Sequence, residues 1–304
     1  MCLSCGLIYL ADHLSAEGYR EFYATGTYRG LTSGFVGVQP SIEAIQRDQV
    51  QYASQLVKAL NGYVTRGGQG FLLDVGGSTG MIAKRVAENF GLHASVLDPA
   101  TKEINAARAA GLDGIVGSLE SFKSTRKYDL ILLCRSLEHL FDLRASLLKM
   151  RELLRTGGLL YCDIIDFVEC CRLRGAAEAI SKIDHCYWLC QETAPRIFRS
   201  LGLQVVSVNV STDPECIGYI LESCEPMTSS ESNEFALHRM LRQLRETDHD
   251  WRRQVTPLQT WTQRARKTGY RVRRNVYRSI GAARRWMPLG GTRVRSPRPQ
   301  EEHQ

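Results

Sequence analysis

Between residues 71 and 163 short apolar runs alternate with helix-length segments, and few folds satisfy that alternation. The runs 71–75 (FLLDV), 94–98 (ASVLD), 114–117 (GIVG), 129–134 (DLILLC) and 158–163 (GLLYCD) are nearly continuous in apolar residues. Strands covered on both faces have this character. Helical patterns occupy 80–90, 101–110 and 142–154, so the strands are joined by βαβ crossovers and lie parallel. A further helical stretch at 191–201 leads to 204–210 (QVVSVNV) and 216–222 (CIGYILE). Only residues 211–215 (STDPE) separate these two, too few for a crossover, so they read as an antiparallel hairpin. The expectation is an α/β fold with seven strands, mostly parallel, closed by a terminal hairpin.

The flanks differ in character. Residues 1–40 are rich in Gly and Tyr and only weakly periodic, whereas 41–60 read as a helix through Ile42, Ile45, Leu56, Val57 and Leu60. We expect three parts: an N-terminal segment at 1–40, a central domain at 41–225, and a helical, basic extension at 226–304. In that extension residues 231–248 read as helix, and residues 290–304 as disordered because they are rich in Pro, Arg and Gly. The net charge of +7 is unevenly placed: residues 251–300 hold thirteen Arg, one Lys and no acid, so they carry +14 and the rest carries −7. Attraction for anionic partners therefore belongs to the tail. No apolar run is long enough to span a bilayer, and the first residues lack the pattern of a signal peptide. The ten cysteines are scattered, with Cys134 and Cys162 inside strand runs, which points to reduced thiols and a cytoplasmic setting.

The chemistry is concentrated at the ends of the first two strands. Residues 72–80 (LLDVGGSTG) form an apolar strand entering a turn that holds Gly76, Gly77 and Gly80, then a helix. Such a turn lets the backbone approach a ligand, and the helix start supplies unpaired N–H groups. Asp74 at the strand end would repel a pyrophosphate and suits a cationic amino group instead. Asp98, followed by Pro99, ends the second strand 22 residues after Gly76, in the range for a carboxylate that holds a ribose diol. A helix N-cap is the alternative for Asp98, and the two roles are compatible. A dinucleotide dehydrogenase is disfavoured, since its G-x-G-x-x-G pattern would need glycine at Ser78 and Met81.

Residues 74–80 resemble the first motif of the class I S-adenosylmethionine-dependent methyltransferases, an acid followed by G-x-G-x-G, with Ser78 standing in place of the middle glycine. Residues 117–122 (GSLESF) resemble the segment of that family near the adenine, 135–140 (RSLEHL) its "LEHL" signature, and 153–160 (LLRTGGLL) its "LLxxGG" turn. The resemblance covers about residues 70–165 and implies a Rossmann-like sheet and S-adenosyl-L-methionine as cofactor. Carried onto this chain, it implies cofactor contacts from Asp74, Gly76, Gly77, Ser78, Gly80, Asp98, Pro99, Ser118, Leu119 and Arg135. His139, at the carboxyl end of the sheet, is a candidate base; a structural hydrogen-bonding role is the competing reading. His185, in 181–188 (SKIDHCYW), resembles an acceptor-facing "H-x-x-(Y/F)" element, against a reading as a surface residue beside packed aromatics.

Cys2 and Cys5, followed by Gly6, resemble half of the zinc ribbon that precedes this fold in sugar-modifying methyltransferases of polysaccharide and antibiotic pathways. Tyr19, Tyr23, Tyr28 and Arg29 fit that resemblance. A structural zinc needs four ligands, and with only this pair we assign no metal. The implied acceptor is a sugar, nucleotide sugar or glycan, methylated on oxygen or carbon. A lipid, quinone or secondary-metabolite acceptor is the rival. Use of the tail on nucleic acid is disfavoured against peripheral contact with an anionic membrane at the inner surface. A non-catalytic scaffold that keeps the fold is the remaining alternative.

Overall fold

The computed structural model describes residues 1–254 apart from 3–4, 12–13, 33–39, 66, 68, 182–183, 211–214 and 228–232. Its first elements are β1 (Ile8–Tyr9), α1 (Ala16–Ala24), α2 (Thr27–Thr32) and α3 (Ile42–Leu60). The alternating region follows as β2 (Phe71–Val75), α4 (Met81–Phe90), β3 (His93–Asp98), α5 (Thr101–Ala109), β4 (Asp113–Val116), β5 (Tyr128–Leu133), α6 (Leu143–Leu153) and β6 (Leu154–Ile165). Then come α7 (Phe167–Arg174), α8 (Ala176–Ala179), β7 (Tyr187–Trp188), α9 (Thr193–Ser200), β8 (Leu203–Val210), β9 (Cys216–Ser223) and α10 (Asn233–Gln254).

Seven strands form one sheet in the order β4-β3-β2-β5-β6-β9-β8. The first five are parallel, and β9 pairs antiparallel with both β6 and β8. The α/β expectation is met. Adjacent side chains on each strand serve opposite faces. Leu72, Leu130 and Leu132 pack with Leu56, Leu60 and Phe90 on one side. Leu73, Ile131 and Leu133 pack with Leu147, Met150 and Phe198 on the other. Both faces are covered, which is why the runs carry so few polar residues.

The expected strands and helices of this region stand within a residue or two of their places, with one exception. The run expected at 158–163 is part of a strand from Leu154 to Ile165, because Leu154 pairs with Tyr128 across a register shift ahead of the regular pairing at Leu159. Some helices begin where a side chain takes an orphan N–H: Ser41 accepts from Ala44, Asp142 from Ala145 and Asp166 from Glu169. Residues Met1–Arg252 form one compact unit. The basic stretch beyond residue 254, the disorder expected at 290–304 and the turn at 211–214 lie outside the described residues.

Order in the first forty residues was not legible beforehand. β1 pairs antiparallel with β7 through Ile8 opposite Trp188 and Tyr9 opposite Tyr187. Two-residue strands carry no periodicity to read, so only the partner reveals them.

Candidate active site

The parallel sheet reverses its winding between β2 and β5, and ligands of such sheets bind beyond the carboxyl ends of the strands at that point. A cavity of about 540 Å³ lies there. Its floor is the turn after β2. Gly76 (φ +70°) donates its N–H to the Leu97 carbonyl, and a Cβ on it would stand 2.7 Å from Ser136 Oγ. A Cβ on Gly77 would stand 2.6 Å from the Asp74 carboxylate. Ser78, in place of the family's glycine, holds φ +56°, a left-handed conformation that costs a side-chain-bearing residue about 1–2 kcal/mol. The turn is also gripped from α3: Gln49 donates to the Gly77 carbonyl and accepts from Thr79 Oγ1 and the Met81 N–H.

Two carboxylates face this floor. Asp98 accepts from the Ser78 N–H (2.9 Å) and the Ala100 N–H (2.8 Å), which leaves each oxygen a further lone pair for a hydroxyl. Burial raises its pKa to about 6, Glu103 adds to the rise, and the two amides and Arg29 oppose it. Asp74 is 1% exposed, and neither oxygen has a partner of ordinary hydrogen-bond geometry among the described residues. Burial, with the Asp98 charge behind it, raises Asp74 to about 8; the Ala83 amide pulls the other way. An orphaned buried carboxyl is costly unless a donor arrives. The ammonium of a bound amino acid supplies that donor, so this site fits S-adenosylmethionine on its own geometry.

The N-terminal segment roofs the cavity. Arg29 is bidentate to Glu103 (2.6 and 2.7 Å) and donates to Ser78 Oγ at 3.1 Å, tying α2 to the glycine turn. Tyr19, Tyr23 and Tyr28 lie in the wall, and burial raises all three phenols, so they stay neutral. Tyr19 donates to the His139 carbonyl, and the Tyr23 hydroxyl stands 3.1 Å from His139 Nδ1. At the mouth, Arg135 pairs with Asp48 (2.9 Å) and lies 4.8 Å over the Tyr52 ring, while its N–H donates to Asp163. Tyr52 donates to the other Asp163 oxygen at 2.6 Å.

Of the residues expected to touch cofactor, Asp74, Gly76, Gly77, Ser78 and Asp98 line the cavity, and so do Pro99, Ser118, Leu119 and Arg135. Gly80 does not. It caps α4 at φ +73° behind the turn, where a Cβ would meet Leu112 at 2.6 Å, so its need for glycine is packing. Gln49, Tyr52, Asp48 and Asp163 were missed; no local motif announces them, because α3 and β6 meet the turn only in the folded chain.

A second cavity of about 480 Å³ shares Tyr28, Arg135 and His139 with the first. His139 sits in a single 3-10 turn, Leu137–His139, whose neighbour Glu138 accepts from the Ile165 N–H. The Glu138 carbonyl accepts from the Cys186 N–H at 2.8 Å, which brings residues 184–186 against the turn. His139 Nδ1 stands 2.8 Å from the Asp184 carbonyl, and the His139 and His185 rings meet edge-on at 4.8 Å between centroids. The sequence offered no reason to assign a metal, yet His139, Asp184 and His185 form one cluster. Cys2 and Cys5 are close enough for a thiol–thiol contact, and among the described residues no further His, Cys, Asp or Glu joins them.

A family model described as a methyltransferase domain matches residues 73–160. No curated protein matches the chain. Among solved structures, magnesium protoporphyrin IX methyltransferase from Synechocystis PCC 6803, with bound SAH, is 14% identical and aligns over 69% of this chain and 100% of its own, with a TM-score of 0.50. A chain of the complex between the Haloferax volcanii Trm112 methyltransferase activator and a methyltransferase is 17% identical over 68% of this chain and 98% of its own, also at 0.50. Likeness at that identity concerns the fold.

Sheet order, glycine turn and paired acids are those that the resemblance to class I methyltransferases implies. The chain is an S-adenosyl-L-methionine-dependent methyltransferase. With S-adenosyl-L-methionine bound, Asp74 would meet its ammonium and Asp98 its ribose diol, and the sulfonium would supply an electrophilic methyl group. What the protein adds is mainly alignment and exclusion of water.

Proposed function

We propose that this methyltransferase acts on a hydroxyl of a sugar or nucleotide sugar bound in the second cavity, with His139 and His185 at the reacting end. The observation that carries this reading is the lining of that cavity: Glu138, Arg174, Glu178, Asp184, His185 and Glu215 surround it, joined to the cofactor side at His139. A wall with so many polar groups suits a polyhydroxylated acceptor better than a flat apolar one. Trp188 and Phe167, at one side, offer an apolar face of the kind a sugar ring's C–H groups cover. The resemblance of the Cys2–Cys5 segment to sugar-modifying methyltransferases favours the same class.

The test uses methyl-labelled S-adenosylmethionine with a panel of nucleoside-diphosphate sugars, quinones and phenols. Label should pass to a nucleotide sugar, and His139→Ala should stop the transfer while S-adenosylhomocysteine still binds. Transfer to the quinones or phenols alone would overturn the assignment.

A further inference from the structure

We propose that His139, Asp184 and His185 form a binding site for a divalent transition-metal ion that holds the acceptor's hydroxyl. The part about the hydroxyl rests on the sugar reading above; the ion site rests on geometry alone.

The three side chains come from two segments 45 residues apart, yet one ligand atom from each lies within 4.8 Å of the others. Ligands about 2.1 Å from an ion stand about 3–4 Å from one another, so small side-chain rotations close this set. Asp184 and His185 are 7% and 4% exposed, and His139 is half-buried. The supports are those that held site ligands need: Tyr19 grips the His139 backbone, Tyr23 donates to the Asp184 carbonyl at 3.2 Å, and the Cys186–Glu138 bond fixes the spacing of the two segments.

The field around the cluster favours a cation. Glu138, Glu178 and Glu215 border the same cavity. Its two guanidinium groups are engaged with carboxylates, Arg174 with Glu215 and Arg135 with Asp48. Two imidazoles and one carboxylate are a ligand set for first-row divalent ions, and three protein ligands leave open positions for a substrate oxygen. The cluster borders the second cavity, and His139 also borders the first, so an ion there stands between donor and acceptor. An acceptor hydroxyl bound to it loses its proton to solvent more readily, and the oxygen keeps the lone pair that the methyl carbon takes. A sugar diol could occupy two open positions and be oriented as well as activated.

Cobalt(II) is the probe, titrated by calorimetry into metal-stripped full-length protein carrying Cys2→Ser and Cys5→Ser, so that thiols take no part. We expect one equivalent bound, with a visible band free of thiolate charge transfer. Asp184→Asn and His185→Gln should each weaken it by about tenfold or more while S-adenosylhomocysteine affinity, the check on folding, stays within about twofold. Absence of cobalt binding in the parent, or equally tight binding in both variants, overturns the site. Sugar methylation undiminished by a chelator overturns the ion's part in activating the hydroxyl. One equivalent of cobalt without transfer to any sugar leaves the ion site standing and sinks only the acceptor class.

Discussion

Replacing Arg29 with Ala tests whether the N-terminal segment acts as a roof over the cofactor. Arg29 makes two charge-assisted bonds to Glu103 and one to Ser78 Oγ, with its side chain 21% and that of Glu103 6% exposed. Removing one partner of a buried pair costs about 3–5 kcal/mol because the other charge is left without compensation. Here the cost is smaller, since Arg29 is partly wet and α2 can lift so that water reaches Glu103. About 2 kcal/mol is a reasonable discount, equivalent to about thirtyfold in an equilibrium constant. Because Arg29 joins α2 to α5 and to the glycine turn, the loss should appear as opening of residues 14–32 and faster escape of ligand. The sheet core, which Arg29 does not touch, should hold. Stopped-flow dissociation of S-adenosylhomocysteine should accelerate about ten- to thirtyfold, and amide exchange should rise in α1 and α2 but not in β2, β3 or β5. A double-mutant cycle with Glu103→Gln should recover most of the penalty as coupling. An unchanged dissociation rate together with unchanged exchange in α1 and α2 would refute the reasoning.

Two further predictions concern the paired acids. Asp98→Asn keeps one acceptor and puts an amide NH2 against a backbone N–H, so S-adenosylhomocysteine should bind about ten- to a hundredfold more weakly by calorimetry, the worth of about 1.5–3 kcal/mol for bonds to a charged acceptor. Affinity unchanged within twofold would remove Asp98 from the ribose. The second is a pH dependence: Asp74 lies raised to about 8 and Asp98 to about 6, and both need to be ionised to meet an ammonium and a diol. Cofactor affinity should therefore climb from pH 5.5 to about 8.5 with proton release on binding, visible as a buffer-dependent heat. Folding should run the opposite way without ligand: carboxyls raised in the folded state hold protons the unfolded chain has lost, so stability falls as pH climbs from about 4 through those values. Flat affinity across that range would show that neither acid meets the ligand.

Legibility followed from distance along the chain. Strands β2 to β5 could be placed to within a residue because each needs only its own run of apolar side chains, and the turn at 76–80 because glycine meets a local backbone demand at Gly76. Asp74 and Asp98 were visible for the same reason: they end their strands, and parallel order puts strand ends side by side. The sequence by itself thus determined the sheet, the cofactor and the two acids that line the cavity. Folding decided the rest. That Ser78 is left-handed and held by Arg29, that Gln49 braces the turn, that Gly80 serves packing and that His139 meets Asp184 and His185 all depend on contacts between segments tens of residues apart. Periodicity records which face of an element is buried; it carries no record of which distant side chain is buried against it, and a site assembled from α2, α3, the turn after β5 and the segment before β7 exists only once the fold has brought them together.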